Sequence, residues 1–265
     1  MVAVGLDEGD SEMTSGAPTL LLIHGFLDDA TVWDGLICSL PGNAIVRYDL
    51  PGFGKRSGAV EDACSASLES LAAEAGQIVS DIGGPVIVVG QSLGTQVAEL
   101  VAAQHADRVC GLVLLTPVPL SGTQLPDQAV APLRAVGGHE AQRAVRVALS
   151  PHLTEEQLDR LVDIGAVVAP EVAAHYVDLW NNGVPGTAAK SAYEGPVRIV
   201  RGEADGFVTE QMIDVISPRF SGGVDVEVIT DGGHWVHVEY PDEVASMIRE
   251  FTKVVGGVPV AKETL

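Results

Sequence analysis

Basic residues are scarce in this chain. Fifteen lysines and arginines stand against 36 aspartates and glutamates, a formal charge of −21 at pH 7. So acidic a surface repels nucleic-acid phosphates and anionic lipid headgroups, which excludes nucleic-acid and membrane-surface roles. Cysteine is rarer still, with Cys38, Cys64 and Cys110 the three present. They are far apart, odd in number and without CxxC spacing, which argues against a disulfide framework and a zinc site and points to a reducing compartment. The opening MVAVGLDEGDSEM carries acids where an export signal has a basic stretch followed by an apolar one. No apolar run approaches the roughly 18 residues needed to cross a bilayer. The expectation is a soluble, cytoplasmic protein. Hydrophobic residues make up 46% and charged ones only 19%, enough apolar side chain to offset the entropy of ordering. A chain of 265 residues is expected to form one α/β core carrying an insertion rather than two equal domains. Nothing in it specifies an oligomer.

Short runs of β-branched and aliphatic residues bounded by turn residues recur at 20–24, 44–49, 86–91, 112–116, 197–202 and 225–230. Each reads as a strand buried on both faces. Helical periodicity occupies 68–82, 95–105, 210–216 and 242–254, the last opened by Pro241. Strand alternating with helix implies a mostly parallel sheet with helices on both faces. The interval 121–194 breaks the rhythm. It holds only helical pieces, at 141–149, 154–167 and 171–181, the second preceded by a capping-box pattern in Thr154 and Gln157. Residues 121–194 are therefore expected to form a helical cap over the C-terminal edge of the sheet, with 1–120 and 195–265 making the core.

Gly90-Gln91-Ser92-Leu93-Gly94 follows one apolar run and opens a helical stretch. A serine on so tight a strand-to-helix turn is held in a strained conformation with its hydroxyl in a cleft, and the helix behind it favours negative charge there. Ser92 is the candidate nucleophile. A serine hydroxyl needs a base, and His234, past Gly232-Gly233 on a loop at a strand end, is the best placed of seven histidines; His237 is its competitor. The base needs a carboxylate to set its tautomer. Asp205 stands in the loop after 197–202, with Glu203 as rival. The loop after the first clear strand, His24-Gly25-Phe26-Leu27, can supply a backbone N–H that joins the one of Leu93 as an oxyanion hole. Phe26 is the expected donor and Leu27 the alternative, and His24 reads as a structural hydrogen-bonding residue.

Read in order, His24-Gly25-Phe26, Asp49-Leu50-Pro51-Gly52-Phe53-Gly54, Gly90-Gln91-Ser92-Leu93-Gly94, Gly202-Glu203-Ala204-Asp205 and Gly233-His234-Trp235 resemble the α/β-hydrolase family over nearly all of the chain. The resemblance implies a parallel-dominated sheet, a helical cap after the sixth strand, and acyl transfer to water through a covalent serine intermediate. It implies neither a metal nor an organic cofactor. Family members usually carry a β-hairpin before the first parallel strand; here a single strand near residues 2–6 is expected. The loop at Gly54-Lys55-Arg56-Ser57 is one residue longer than the family's common form, and Ser57 reads as a solvated turn. C–C bond hydrolases of the same fold share the Gly-His-Trp sequence and hold a substrate carboxylate with a cap arginine. Arg134, Arg143, Arg146 and Arg160 fall in the cap, but as charged helix residues they read as solvated faces. That activity is one alternative; a hydrolase-like ligand receptor with little turnover is another.

Leu27, Val118, Leu120, Phe207 and Trp235 flank the strand ends that carry the candidate triad, and Tyr176 and Trp180 are the large aromatics of the cap. Together they are the expected substrate wall. It is apolar and suits a small uncharged ester or lactone, since an anionic substrate would approach against the protein's own field.

Overall fold

Strand and helix alternate through residues 17–256, the part described by the computed structural model. In chain order the elements are β1 (Thr19–Ile23), α1 (Asp34–Cys38), β2 (Ile45–Tyr48), α2 (Val60–Ser65), α3 (Leu68–Asp81), β3 (Val86–Gln91), α4 (Leu93–Gln104) and β4 (Val109–Leu115). Four helices without a strand follow: α5 (Asp127–Arg134), α6 (Gly138–Leu149), α7 (Glu155–Ala166) and α8 (Pro170–Asn182). The chain then returns through β5 (Val197–Gly202), α9 (Glu210–Ile216), β6 (Val224–Ile229), α10 (Val236–Glu239) and α11 (Pro241–Val255).

Because successive side chains of a strand point to opposite faces, β1 feeds two cores at once. Leu21 and Ile23 join one with residues of α3, α4 and α8; Leu20 and Leu22 join the other with residues of α1 and α11. The sheet runs β2-β1-β3-β4-β5-β6, every pair parallel. The chain leaves β1 towards β2 on one side and reaches β3 on the other, so the strand order reverses there. The loops after β1 and β3 diverge, and a crevice opens outside the carboxyl ends of these two strands. Ser67 caps α3 through a reciprocal bond with Ser70, and Thr154 caps α7 in the same way with Gln157.

The expectation that each strand is buried on both faces is corrected at the two edges of the sheet. β6 is the last strand of the described sheet, and Val226 and Val228 on it are 41% and 45% exposed; β2, at the other edge, alternates half-buried and buried. Neither is covered on both faces, because an edge strand lacks a neighbour to carry a helix over it. The insertion leaves after β4, the fourth described strand. The single strand expected near residues 2–6 lies outside the described residues. Among the described residues no helix is long and apolar enough to cross a membrane.

Candidate active site

Ser92 stands between β3 and α4 with φ 51° and ψ −122°, a left-handed conformation that a serine adopts at a cost and that recurs at functional sites. What holds the turn is close packing around glycine. A Cβ at Gly90 would lie 2.4 Å from the Gly94 carbonyl oxygen, and one at Gly94 would lie 2.4 Å from the carbonyl oxygen of Ile23. These obstacles are main chain and cannot swing aside. Gly94→Ala is therefore expected to lower stability by about 1–3 kcal/mol, as overpacking does, read as a fall in Tm; an unchanged Tm would mean that β1 and α4 can separate freely. The Ser92 N–H donates to Leu115 O (3.0 Å), and its carbonyl accepts from the Thr95 hydroxyl (2.6 Å).

Asp205 and His234 meet next to this turn. His234 Nδ1 lies 2.8 Å from Asp205 Oδ2, while Asp205 Oδ1 accepts the N–H groups of Phe207 (2.8 Å) and Val208 (3.1 Å). Both side chains are buried. Burial by itself would raise the Asp205 pKa, but the His234 charge, its hydrogen bond and the two N–H donors outweigh it, and the carboxyl is held below its ordinary value. An ionised Asp205 takes the Nδ1–H, which leaves Nε2 as the free basic nitrogen. The His234 ring is held edge-on between Phe207 and Trp235, centroids 5.7 and 5.1 Å away. Its carbonyl accepts from Gln91 Nε2 (3.1 Å) and the Thr116 hydroxyl (3.0 Å). The structure has no hydrogen bond between the Ser92 hydroxyl and His234, a contact that commonly tightens only when substrate binds; both side chains line one cavity.

That cavity encloses roughly 460 Å³, part of it open to solvent, and is walled by Phe26, Leu27, Gln91, Ser92, Leu133, Val145, Leu149, Trp180, Phe207, His234 and Trp235. Neither Phe26 nor Leu93 donates its N–H to a protein acceptor among the described residues. Both N–H groups belong to turns beside Ser92, and Leu27 next to Phe26 has φ 65°. The Leu93 side chain itself points into the core.

Three expected wall residues are absent from the cavity. Val118 and Leu120 lie on a stretch stapled elsewhere: Val118 N–H donates to Thr95 Oγ1, Pro119 O accepts Gln96 Nε2, and Leu120 O accepts Val184 N–H beyond α8. Tyr176 is fully buried, its hydroxyl donating to Pro51 O (2.9 Å) and its ring edge-on to Phe53 at 4.7 Å. It joins α8 to the core. His237, the competitor for the base, is also fully buried, stacks on Trp33 at 4.4 Å and faces no part of the cavity. Burial pushes its pKa down to about 3. Glu203 is exposed. His24 accepts the Leu50 N–H at Nε2 and donates from Nδ1 to Gly25 O, which ties the loop after β1 to the one after β2. Ser57 closes a short helical turn through its N–H to Gly54 O.

Sequence reasoning missed Gln91, Leu133, Val145 and Leu149 as wall residues. The signal for two of them was present: Gln142, Val145, Arg146 and Leu149 recur at the spacing of one helix face, but two of the four are polar and disguise it. Arg146 is also a correction to the reading of cap arginines as solvated, being fully buried. Two carboxylate-bearing ties support the base loop as well. Glu239 accepts the Gly233 N–H and the Ser150 hydroxyl, both at 2.9 Å, and burial raises its pKa despite them.

A parallel sheet whose strand order reverses at a serine on a left-handed turn, with a buried Asp–His pair beside it, defines an α/β hydrolase. The chain belongs to the alpha/beta hydrolase family, whose model matches residues 20–247. It is 31% identical to Lipase LipV of Mycobacterium tuberculosis (strain ATCC 25618 / H37Rv) over 89% of this chain and 93% of that protein. With Esterase Rv0045c of the same organism it shares 27% identity over 88% and 82% of the two chains. Among solved structures, a hydrolase from Oleispira antarctica superimposes with a TM-score of 0.76 over 94% of each chain at 16% identity, which shows the fold.

Proposed function

We propose that this protein is a serine hydrolase that cleaves carboxylic esters, lactones included, of small to medium uncharged apolar compounds through an acyl-enzyme. The chain is a hydrolase acting on ester bonds, a reading that kinship with a lipase and an esterase along most of its length supports. The observation that carries the mechanism is the buried Asp205–His234 pair opening on the same cavity as Ser92. Ser92 Oγ attacks the carbonyl carbon as His234 Nε2 takes its proton, and Asp205 stabilises the imidazolium. The N–H groups of Phe26 and Leu93 bind the oxyanion. Collapse expels the alcohol, which takes the proton from His234; water, activated by the same nitrogen, then releases the acid. The test is pre-steady-state hydrolysis of a p-nitrophenyl ester. A burst of one chromophore per protein followed by a slower steady phase is expected, and a chain that binds ester without a burst or turnover would be a receptor instead.

The substrate class follows from the wall. Among the described residues no lysine or arginine lines the cavity, and all four arginines of the insertion are tied to protein carboxylates: Arg134 to Asp127 and Asp178, Arg143 to Glu155 and Asp159, Arg146 to Asp28, Arg160 to Asp34. None is free to hold a substrate carboxylate, which weighs against C–C bond hydrolysis of acidic diketones. Residues 121–194 act in this reading as a cap that selects substrate, contributing Leu133, Val145, Leu149 and Trp180 to the wall. Trp180→Leu should then shift kcat/KM towards hexanoate and octanoate over acetate esters by about 1–3 kcal/mol per newly accommodated methylene-sized contact. Tyr176→Ala should lower Tm and depress all chain lengths in parallel. An equal loss on every ester with Trp180→Leu would remove Trp180 from the specificity wall.

A further inference from the structure

Among the described residues, the one fully buried ion pair that joins the insertion to the core is Arg146 with Asp28, both side chains at 0% exposure. Arg146 Nη1 donates to Asp28 Oδ1 at 2.7 Å, and Nη2 donates to the Leu27 carbonyl oxygen, also at 2.7 Å, with a longer contact of 3.4 Å to Leu161 O. The other Asp28 oxygen accepts the Trp235 indole N–H at 2.9 Å, and the guanidinium lies 4.2 Å over that indole ring. One side chain of α6 thus touches both loops on which the chemistry depends, the one with Phe26 and Leu27 and the one with His234 and Trp235.

Stability alone does not account for this arrangement. Taking a guanidinium and a carboxylate wholly out of water carries a desolvation penalty that well-packed apolar side chains would avoid. What the guanidinium does, and an apolar side chain could not, is hold a carbonyl in place. Leu27 sits at φ 65°, in the left-handed region that a leucine leaves readily unless its surroundings hold it. Its carbonyl is the atom that Arg146 grips, so the fork fixes the peptide that follows Leu27. The orientation of the loop carrying the Phe26 and Leu27 N–H groups is fixed with it.

We propose that Arg146 is a positioning residue for the oxyanion hole: from the insertion, and without touching substrate, it locks Leu27 in its left-handed conformation while Asp28 ties the same lock to Trp235. The inference rests on the serine-hydrolase reading. It predicts that the loss on removing the fork appears in the transition state and hardly in substrate binding.

Two variants test it. Arg146→Lys keeps a positive charge against Asp28 and hence the fold, but a single ammonium cannot reproduce the two-pronged grip. The double variant Arg146→Met with Asp28→Asn removes both charges together, leaving neither buried alone. Each is assayed for kcat and KM on p-nitrophenyl acetate and hexanoate, for binding of a trifluoromethyl ketone that forms an oxyanion on the serine, for binding of an alkyl ether of the same shape, and for Tm. The expected result is a loss of about 10²-fold in kcat on both esters, the size seen when an oxyanion donor is removed, with KM changed by less than about threefold. Ketone affinity should fall in step with kcat/KM while ether affinity holds. An Arg146→Lys protein with parental kcat overturns the proposal, as does a loss confined to KM or one in which ketone and ether weaken equally. Ser92→Ala run beside them separates the two readings. If it stays active the serine mechanism itself fails, whereas an inactive Ser92→Ala with a fully active Arg146→Lys removes only the positioning role.

Discussion

Ser92→Ala is expected to lower kcat for p-nitrophenyl esters by about 10⁶, the size of loss seen when a triad serine is removed, while leaving the protein folded. The fold should survive because the contacts that hold the turn are main-chain ones. Thr95 bonds the Ser92 carbonyl, the Ser92 N–H bonds Leu115 O, and the flanking glycines pack on backbone. The hydroxyl takes no part in any of them, so alanine loses one polar atom that faces a cavity. Circular dichroism and Tm close to those of the parent protein, with no burst phase, would meet the expectation. Activity within about tenfold of the parent would take the nucleophile away from Ser92, since no triad-like mechanism tolerates loss of its attacking atom.

Asp205→Asn should cost about 10⁴ in kcat, by forcing the wrong tautomer on the base. The geometry explains why the replacement cannot adapt. One carboxylate oxygen already accepts the N–H groups of Phe207 and Val208, so an asparagine will place its carbonyl there and its NH₂ towards His234. Facing a donor, Nδ1 must present its lone pair, and the proton moves to Nε2, the nitrogen that has to receive the serine's proton. Glu203→Gln, at an exposed position, should change kcat by less than about twofold. Reversed effects would make Glu203 the acid.

Much of this architecture is legible in the sequence. Five- and six-residue aliphatic runs that alternate with helical periods read as strands, and all six overlap strands of the parallel sheet with ends within three residues. The candidate triad is legible for a different reason: each member stands in the turn or loop that follows a strand, where chain direction delivers it to one edge. What stayed hidden depends on neighbours distant in sequence. Residues 225–230 interleave Asp225 and Glu227 with valines, unlike the apolar central runs, and the sheet order shows why: the strand lies at an edge. Helix α5 contains Pro132, which breaks the usual pattern, so Leu133 went unseen. Val118, Leu120 and Tyr176 were placed near the substrate by their position after strands or by size, whereas bonds to Thr95, Gln96, Val184 and Pro51 turn them elsewhere. Arg146 reads as a solvated charge in the sequence because its partner, Asp28, is 118 residues away.

The helices over the cavity are fastened unequally. Helix α6 is bound to the core by the buried Arg146 fork, α7 by Gln157 to Val238 O and Arg160 to Thr31 O, and α8 by His175 to Ala66 O and Tyr176 to Pro51 O. Among the described residues α5 has no hydrogen bond to the core; Arg134 reaches only Asp127 on its own helix and Asp178 on α8. It nonetheless contributes Leu133 to the cavity. Val130 on the same helix is fully buried in the core that α3, α4 and α8 share, so the wall at Leu133 is held by apolar packing and by an ion pair within the insertion, and its hold on the core should weaken on cooling as apolar burial does.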